Sequence, residues 1–196
     1  MTPRDYALLA QEAYTAKPDI GDENSASRAI VRHTDAGLCI AFPGTDNLDC
    51  WLADLNALPI AVPGVGDVHR GFWQAWEAIA LPVLAAVNGG PVTLIGHSLG
   101  AAIALMAAAE MKVSNNPPAA VYCFEPPRVS PNIAVRTLLA GVPLRLYKTG
   151  NDLVPDIPLG WCHAGLLTHI GKAVLPLPNV FDHAIERVIH ALTSPA

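Results

Sequence analysis

The chain has 196 residues, the size of one domain spanning 1–196 and enough to bury a substantial core. Hydrophobic residues make up 52% and charged residues only 15%, which excludes a disordered chain. A net charge of −5 offers no basic surface, so no nucleic-acid partner is expected.

In chain order, Thr2 can cap a first helix that Pro3 opens and that runs to about Tyr14. Ala29 to His33 and Leu38 to Phe42 read as strands around the turn Asp35-Ala36-Gly37. After Pro43-Gly44-Thr45, Leu48, Trp51, Leu52 and Leu55 recur at helical spacing, with Asp46, Asn47, Asp49 and Asp54 on the other face. That pattern predicts a short two-sided helix near 46–55. Pro59 to Gly66, with two prolines and two glycines, reads as a loop. A helix follows Val68-His69-Arg70-Gly71-Phe72 and carries Trp73, Trp76 and Ile79, with Pro82 kinking or dividing it. The strand Val92–Ile95 leads into a helix over Ser98–Lys112, apolar nearly all round and therefore expected to be buried. Ala119–Phe124 and Leu144–Lys148 read as strands, with a helix over Ile133–Ala140 between them. Leu166–Gly171 reads as a further strand, before a last helix at about Asn179–Leu192. Strands alternating with helices define an α/β protein with a central, mostly parallel sheet flanked by helices.

The motif that carries chemistry is Gly96-His97-Ser98-Leu99-Gly100, placed between a β-branched run and a small-residue helix. Strand, sharp turn and helix in that order make a nucleophile elbow, with glycines two residues either side of the serine. Leu99 N–H then stands at a helix start, aimed where an oxyanion would form. A serine hydroxyl needs a base to take its proton, and the base needs a carboxylate to fix its tautomer. In the order serine, acid, histidine, the acid candidates are Asp152, Asp156 and Glu125, and the base candidates are His163, His169, His183 and His190. The Gly44-Thr45 turn is a candidate second oxyanion donor, with Asp54 as a partner for the Thr45 hydroxyl. Cys39, Cys50, Cys123 and Cys162 are widely spaced, with no CxxC pair, so neither a metal nor a disulfide framework is expected.

The chain resembles the class 3, fungal-lipase-like branch of the α/β-hydrolases. Ala41-Phe42-Pro43-Gly44-Thr45 with Trp51-Leu52-Ala53-Asp54 is similar to the family's oxyanion loop and lid. Val68-His69-Arg70-Gly71-Phe72, the GHSLG elbow, Pro127-Arg128-Val129, Asn151-Asp152-Leu153-Val154-Pro155 and Asp182-His183 match further family motifs in order. Pro43 stands where the family often has arginine, Ala101 where its elbow has a further glycine, and Phe124-Glu125-Pro126 where its segment ends in glycine. The resemblance implies a triad of Ser98, Asp152 and His183, with Thr45 and Leu99 forming the oxyanion hole. It also implies a lid carrying Leu48, Trp51 and Leu52. The activity implied is hydrolysis of lipid esters, at a lipid–water interface, without cofactor or metal. An acyltransferase, thioesterase or depolymerase on the same triad, or a catalytically silent binding protein on the same fold, are the alternatives. The first residues lack a basic segment followed by an apolar run, and no stretch is long and apolar enough to span a bilayer. The location expected on that ground is cytoplasmic, with export by another route left open.

Overall fold

The computed structural model describes residues 1–45 and 57–193. The helix expected near 46–55, with Leu48, Trp51, Leu52 and Asp54, lies outside the described residues, as does Cys50. Helix α1 (Pro3–Thr15) begins where the sequence places it. Thr2 Oγ1 accepts from Asp5 N–H while the Asp5 carboxylate accepts from Thr2 N–H, so both ends of a capping box are closed.

Nine strands follow among the described residues: β1 (Ile20–Gly21), β2 (Arg28–Thr34), β3 (Gly37–Phe42), β4 (Pro59–Val62), β5 (Gly66–His69), β6 (Val92–His97), β7 (Ala120–Phe124), β8 (Leu144–Thr149) and β9 (Leu167–Ile170). Seven form one sheet in the order β1-β2-β3-β6-β7-β8-β9. The β1-β2-β3 edge is antiparallel, and every neighbour from β3 to β9 is parallel. Pro59–Gly66 is not a loop throughout: β4 and β5 pair as a separate antiparallel hairpin. Pro59 is its first strand residue, a position where the missing N–H costs no ladder bond. The turn between the strands uses the positive φ of Gly64 and Gly66.

Helices α2 (Arg70–Glu77), α3 (Ala80–Val87) and α4 (Leu99–Val113) cover one face of the sheet. Pro82 lies within the first turn of α3 and not at the division, because a proline there removes no intrahelical bond. Short α5 (Ala134–Leu138) is narrower than the expected 133–140. Helices α1 and α6 (Ile185–Ala191) cover the opposite face. Strand alternation sorts the core between the two layers. Ile40, Phe42, Leu94, Cys123 and Leu146 face the α2–α4 layer, while Cys39, Ala41, Ile95, Phe124 and Tyr147 face α1 and α6. Nearly all of α4 is buried, and its alanines let the helix lie close to the strands.

The expected last helix is cut short at its start. Phe181–His183 is a single 3-10 turn, and extended Ala184 (φ −58°, ψ 133°) separates it from α6. Asn179 Oδ1 accepts from Asp182 N–H, so a side chain takes a donor that would otherwise be held within the first helical turns. Cys39, Cys123 and Cys162 are free thiols, and burial raises the first two above the ordinary range. Added reductant should therefore leave the melting temperature unchanged; a fall on reduction, followed by circular dichroism, would contradict this.

Candidate active site

Strand register gathers the site. Phe42 pairs with Gly96, His97 with Phe124, and Phe124 with Tyr147, so the ends of β3, β6, β7 and β8 finish nearly level. The residues just beyond them are Pro43-Gly44-Thr45, Ser98, Glu125 and, after a turn, Asp152. Ligands of open α/β sheets bind at this carboxyl edge.

Ser98 has φ 58° and ψ −125°, a strained backbone for a residue with a side chain. A Cβ at Gly96 would overlap the Gly100 carbonyl, and one at Gly100 would overlap the carbonyls of Phe42 and Pro43. The turn can close only because both positions lack side chains. Ser98 N–H donates to Phe124 O at 2.9 Å, and Ser98 O accepts from Ala101 N–H at 3.0 Å, which fixes the elbow between β7 and α4. Leu99 opens α4, where first-turn N–H groups have no intrahelical acceptor.

Asp152 and His183 meet by side chain: His183 Nδ1–H donates to Asp152 Oδ2 at 2.7 Å, and both groups are buried. Asp152 Oδ1 accepts from Val154 N–H at 3.0 Å. Burial pushes the Asp152 carboxyl up, but the His183 imidazole, Glu125 and the Val154 N–H together hold it below the ordinary range. His183 is fixed to the elbow through His97. His97 Nε2 faces the His183 carbonyl at 2.8 Å, and a carbonyl only accepts, so Nε2 is the protonated nitrogen. Nδ1 then accepts from the Tyr14 hydroxyl at 2.6 Å. Burial, with His183 nearby, lowers the His97 pKa to about 3, so this ring stays neutral. The His97 and His183 ring centroids are 4.7 Å apart. Ser98 Oγ and His183 Nε2 are both buried and make no hydrogen bond among the described residues. Such bonds often tighten only when substrate is present.

The rival groups have other work. Asp156 pairs with Lys148 Nζ at 2.7 Å. His163 Nε2 donates to Pro155 O at 2.8 Å, and burial lowers its pKa to about 4. His190 is exposed on α6; His169 is also exposed on β9, whereas a satisfied structural role in a strand was the expectation. β9 ends the sheet, so an edge position leaves its outward side chain in water. His69 stacks on Phe72 at 4.0 Å between centroids and supports the α2 start.

Gly44 lies against the elbow: a Cβ there would stand 2.8 Å from Ser98 Cβ and overlap the Tyr14 hydroxyl. Thr45 is thereby held next to the serine, and it is partly buried. Asp182 was legible only as half of the Asp-His motif. Buried, it accepts from Asn151 N–H, Val174 N–H and Asn179 Nδ2, and pairs with Arg187 at 3.0 Å. Burial would raise this carboxyl, but those N–H groups and the Arg187 charge hold it low. It ties the His183 turn to the Asp152 turn. Asp182→Ala should cost about 2 kcal/mol by stranding buried donors. In thermal unfolding that is roughly 4–8 °C for a chain of this size. Its lowered pKa means that stability is gained above the ordinary carboxylate range, about 3.9, and lost as pH falls through the folded value.

A parallel-sheet core, a strained serine elbow and a buried Asp-His pair at its carboxyl edge define the α/β-hydrolase class. The family model for "Lipase (class 3)" matches residues 39–161, and the chain belongs to that family. It is 31% identical over 154 residues to secreted mono- and diacylglycerol lipase A of Penicillium cyclopium, covering 71% of this chain and 50% of that protein. It is 30% identical over 158 residues to a lipase of Rhizomucor miehei, covering 71% and 44%. The chain thus spans about half the length of the curated relatives it matches. Among solved structures, Rhizomucor miehei triacylglyceride lipase superposes with a TM-score of 0.77 at 22% identity, covering 92% of this chain and 91% of that one, a likeness of fold. The Penicillium cyclopium lipase structure superposes with 0.69 at 22% identity, covering 92% and 81%.

The expectation of a cytoplasmic location is corrected by the relatives. Those from Penicillium and Fusarium solani are named as secreted, which overturns that expectation. No helix among the described residues is long and apolar enough to cross a membrane.

Proposed function

We propose that residues 1–196 act as one hydrolase domain that cleaves carboxylic esters of lipids through an acyl-serine intermediate. The observation that carries this is the Asp152–His183 bond, with His183 tied through its carbonyl to His97, the residue preceding Ser98. Ser98 Oγ attacks the ester carbonyl while His183 Nε2 takes its proton. Asp152 holds His183 in the Nδ1–H tautomer and stabilises the imidazolium. Leu99 N–H and Thr45 receive the developing oxyanion. His183 then returns the proton to the leaving alcohol, and water repeats the sequence on the acyl-enzyme.

The family implies lipid esters as substrates; the finer reading is that they are met at a lipid–water interface. Leu177 and Phe181, on the segment leading to His183, are 69% and 63% exposed, and the two-sided sequence pattern over 46–55 adds an apolar stripe. On this reading the rate should jump as ester concentration passes the solubility limit, and Trp51→Ala should reduce the jump. A smooth hyperbolic curve through that limit would leave an esterase acting on dissolved substrate.

A panel of p-nitrophenyl esters of rising chain length, with acylglycerols and phospholipids beside them, tests the activity. A serine-directed phosphonate should label the wild type at Ser98, read by mass spectrometry; hydrolysis without that label would sink the mechanism. Thr45→Val should lower kcat by roughly 100-fold, since one oxyanion donor is worth about 2.7–4 kcal/mol.

A further inference from the structure

A second carboxyl group shares the site with Asp152. Glu125 follows β7, is 0% exposed, and holds a left-handed backbone (φ 52°) that favours glycine. Its N–H donates to Tyr147 O at 2.9 Å, and its Oε1 accepts from Thr149 N–H at 2.7 Å. These bonds anchor the residue to β8 and leave Oε2 buried and unbonded. The Glu125 and Asp152 carboxyls meet at hydrogen-bonding range. Among the described residues no ion pair involves Glu125, and no N–H or O–H of another residue is bonded to its Oε2.

Two carboxylates in contact, away from water, cannot both ionise. One proton must sit between them, and the donors decide where. Asp152 receives His183 Nδ1–H and Val154 N–H on its two oxygens, which favours the anion there. Glu125 receives Thr149 N–H on Oε1, and the Thr149 hydroxyl beside it also favours the anion, but burial and the neighbouring Asp152 carboxylate outweigh both. As an O–H, Oε2 becomes a donor with an acceptor in front of it. We propose that Glu125 is held as a neutral carboxylic acid whose O–H donates to Asp152, a positioning residue that fixes the carboxylate holding His183. Burial first, then the Asp152 charge, moves Glu125 in the same direction, well above the ordinary range.

Three bonds to Asp152 leave its carboxylate no second rotamer. His183 then keeps one tautomer and one orientation through the proton transfers, so the effect falls on kcat and not on substrate binding. The inference rests on the reading of Asp152 as the triad acid, and the tests separate the two.

Infrared spectra of the substrate-free protein at neutral pH should show the C=O stretch of a buried protonated carboxyl, shifted in D2O and lost in Glu125→Gln. No such band in the wild type, or its persistence in Glu125→Gln, overturns the proposal whether or not the protein hydrolyses esters. Glutamine can accept from Thr149 N–H through its oxygen and donate to Asp152 through its amide. Glu125→Gln should therefore keep kcat within about 3-fold, whereas Glu125→Ala should lose about 10–100-fold in kcat with KM little changed, the worth of one hydrogen bond to a charged group. An equal loss in both variants would mean that a Glu125 charge is required, and would overturn the neutral donor. If Glu125→Ala does not fold, the infrared band and the Glu125→Gln rate decide the matter. Wild-type-like ester turnover in Ser98→Ala would instead sink the hydrolase reading and leave the band as evidence on the shared proton.

Discussion

Ser98→Ala should lower kcat toward any ester substrate by about 10⁴–10⁶-fold while leaving the circular dichroism spectrum unchanged. The loss is large because no neighbouring group can replace the hydroxyl at the tip of a turn whose geometry is set by backbone bonds to Phe124 and Ala101. His183→Ala should lose as much, and Asp152→Ala somewhat less, since the acid acts only through the imidazole. Combining them should add little: once one member is gone, the others have no proton to move. His163→Ala is the internal control. Its Nε2 is committed to Pro155 O, so that variant should remain active. An inactive His163→Ala beside an active His183→Ala would reverse the assignment of the base.

Gly100→Val should destabilise the fold by about 4 kcal/mol or more, placing it among the severe single substitutions. Its Cβ would overlap the carbonyl oxygens of Phe42 and Pro43, which are backbone atoms at the end of β3 and cannot rotate away. The helix would have to lift from the sheet, opening voids along α4, where Ala101, Ile103, Leu105 and Met106 are fully buried. Thermal unfolding should show a fall of roughly 8–16 °C, or no soluble protein. A melting temperature within a degree or two of the wild type would show that the β3–α4 contact is not as close as described. The same displacement would move Pro43-Gly44-Thr45 away from Ser98, so any surviving protein should also be slow.

How much of this was readable from residue order varies with the range of the interaction. The Thr2-Pro3 helix start, the turn at Asp35-Ala36-Gly37 and the Gly96–Gly100 elbow depend on neighbours within a few positions, and all stand where the sequence placed them. The resemblance to the family's motifs singled out Asp152 and His183 from their rivals, and the two side chains meet at 2.7 Å. Pro59–Gly66 was misread because proline and glycine mark turns without saying whether two short strands pair across them. The break at Ala184 was missed because Asn179 and Asp182 recruit backbone donors from other segments, a competition that helical periodicity does not register.

Glu125 marks the boundary most clearly. As a residue in the chain it was one of three acids that could serve the histidine, and composition alone could rank it no further. Which acid bonds the imidazole, and that two carboxyls share one buried site, follow from the register that ends β7 beside β8. The sequence by itself pointed to the class of chemistry, because a strand, GHSLG and a small-residue helix are local signals of a serine elbow. Only the tertiary structure decided the electrostatics, because the charge a carboxyl carries depends on which donors and like charges crowd it once water is gone.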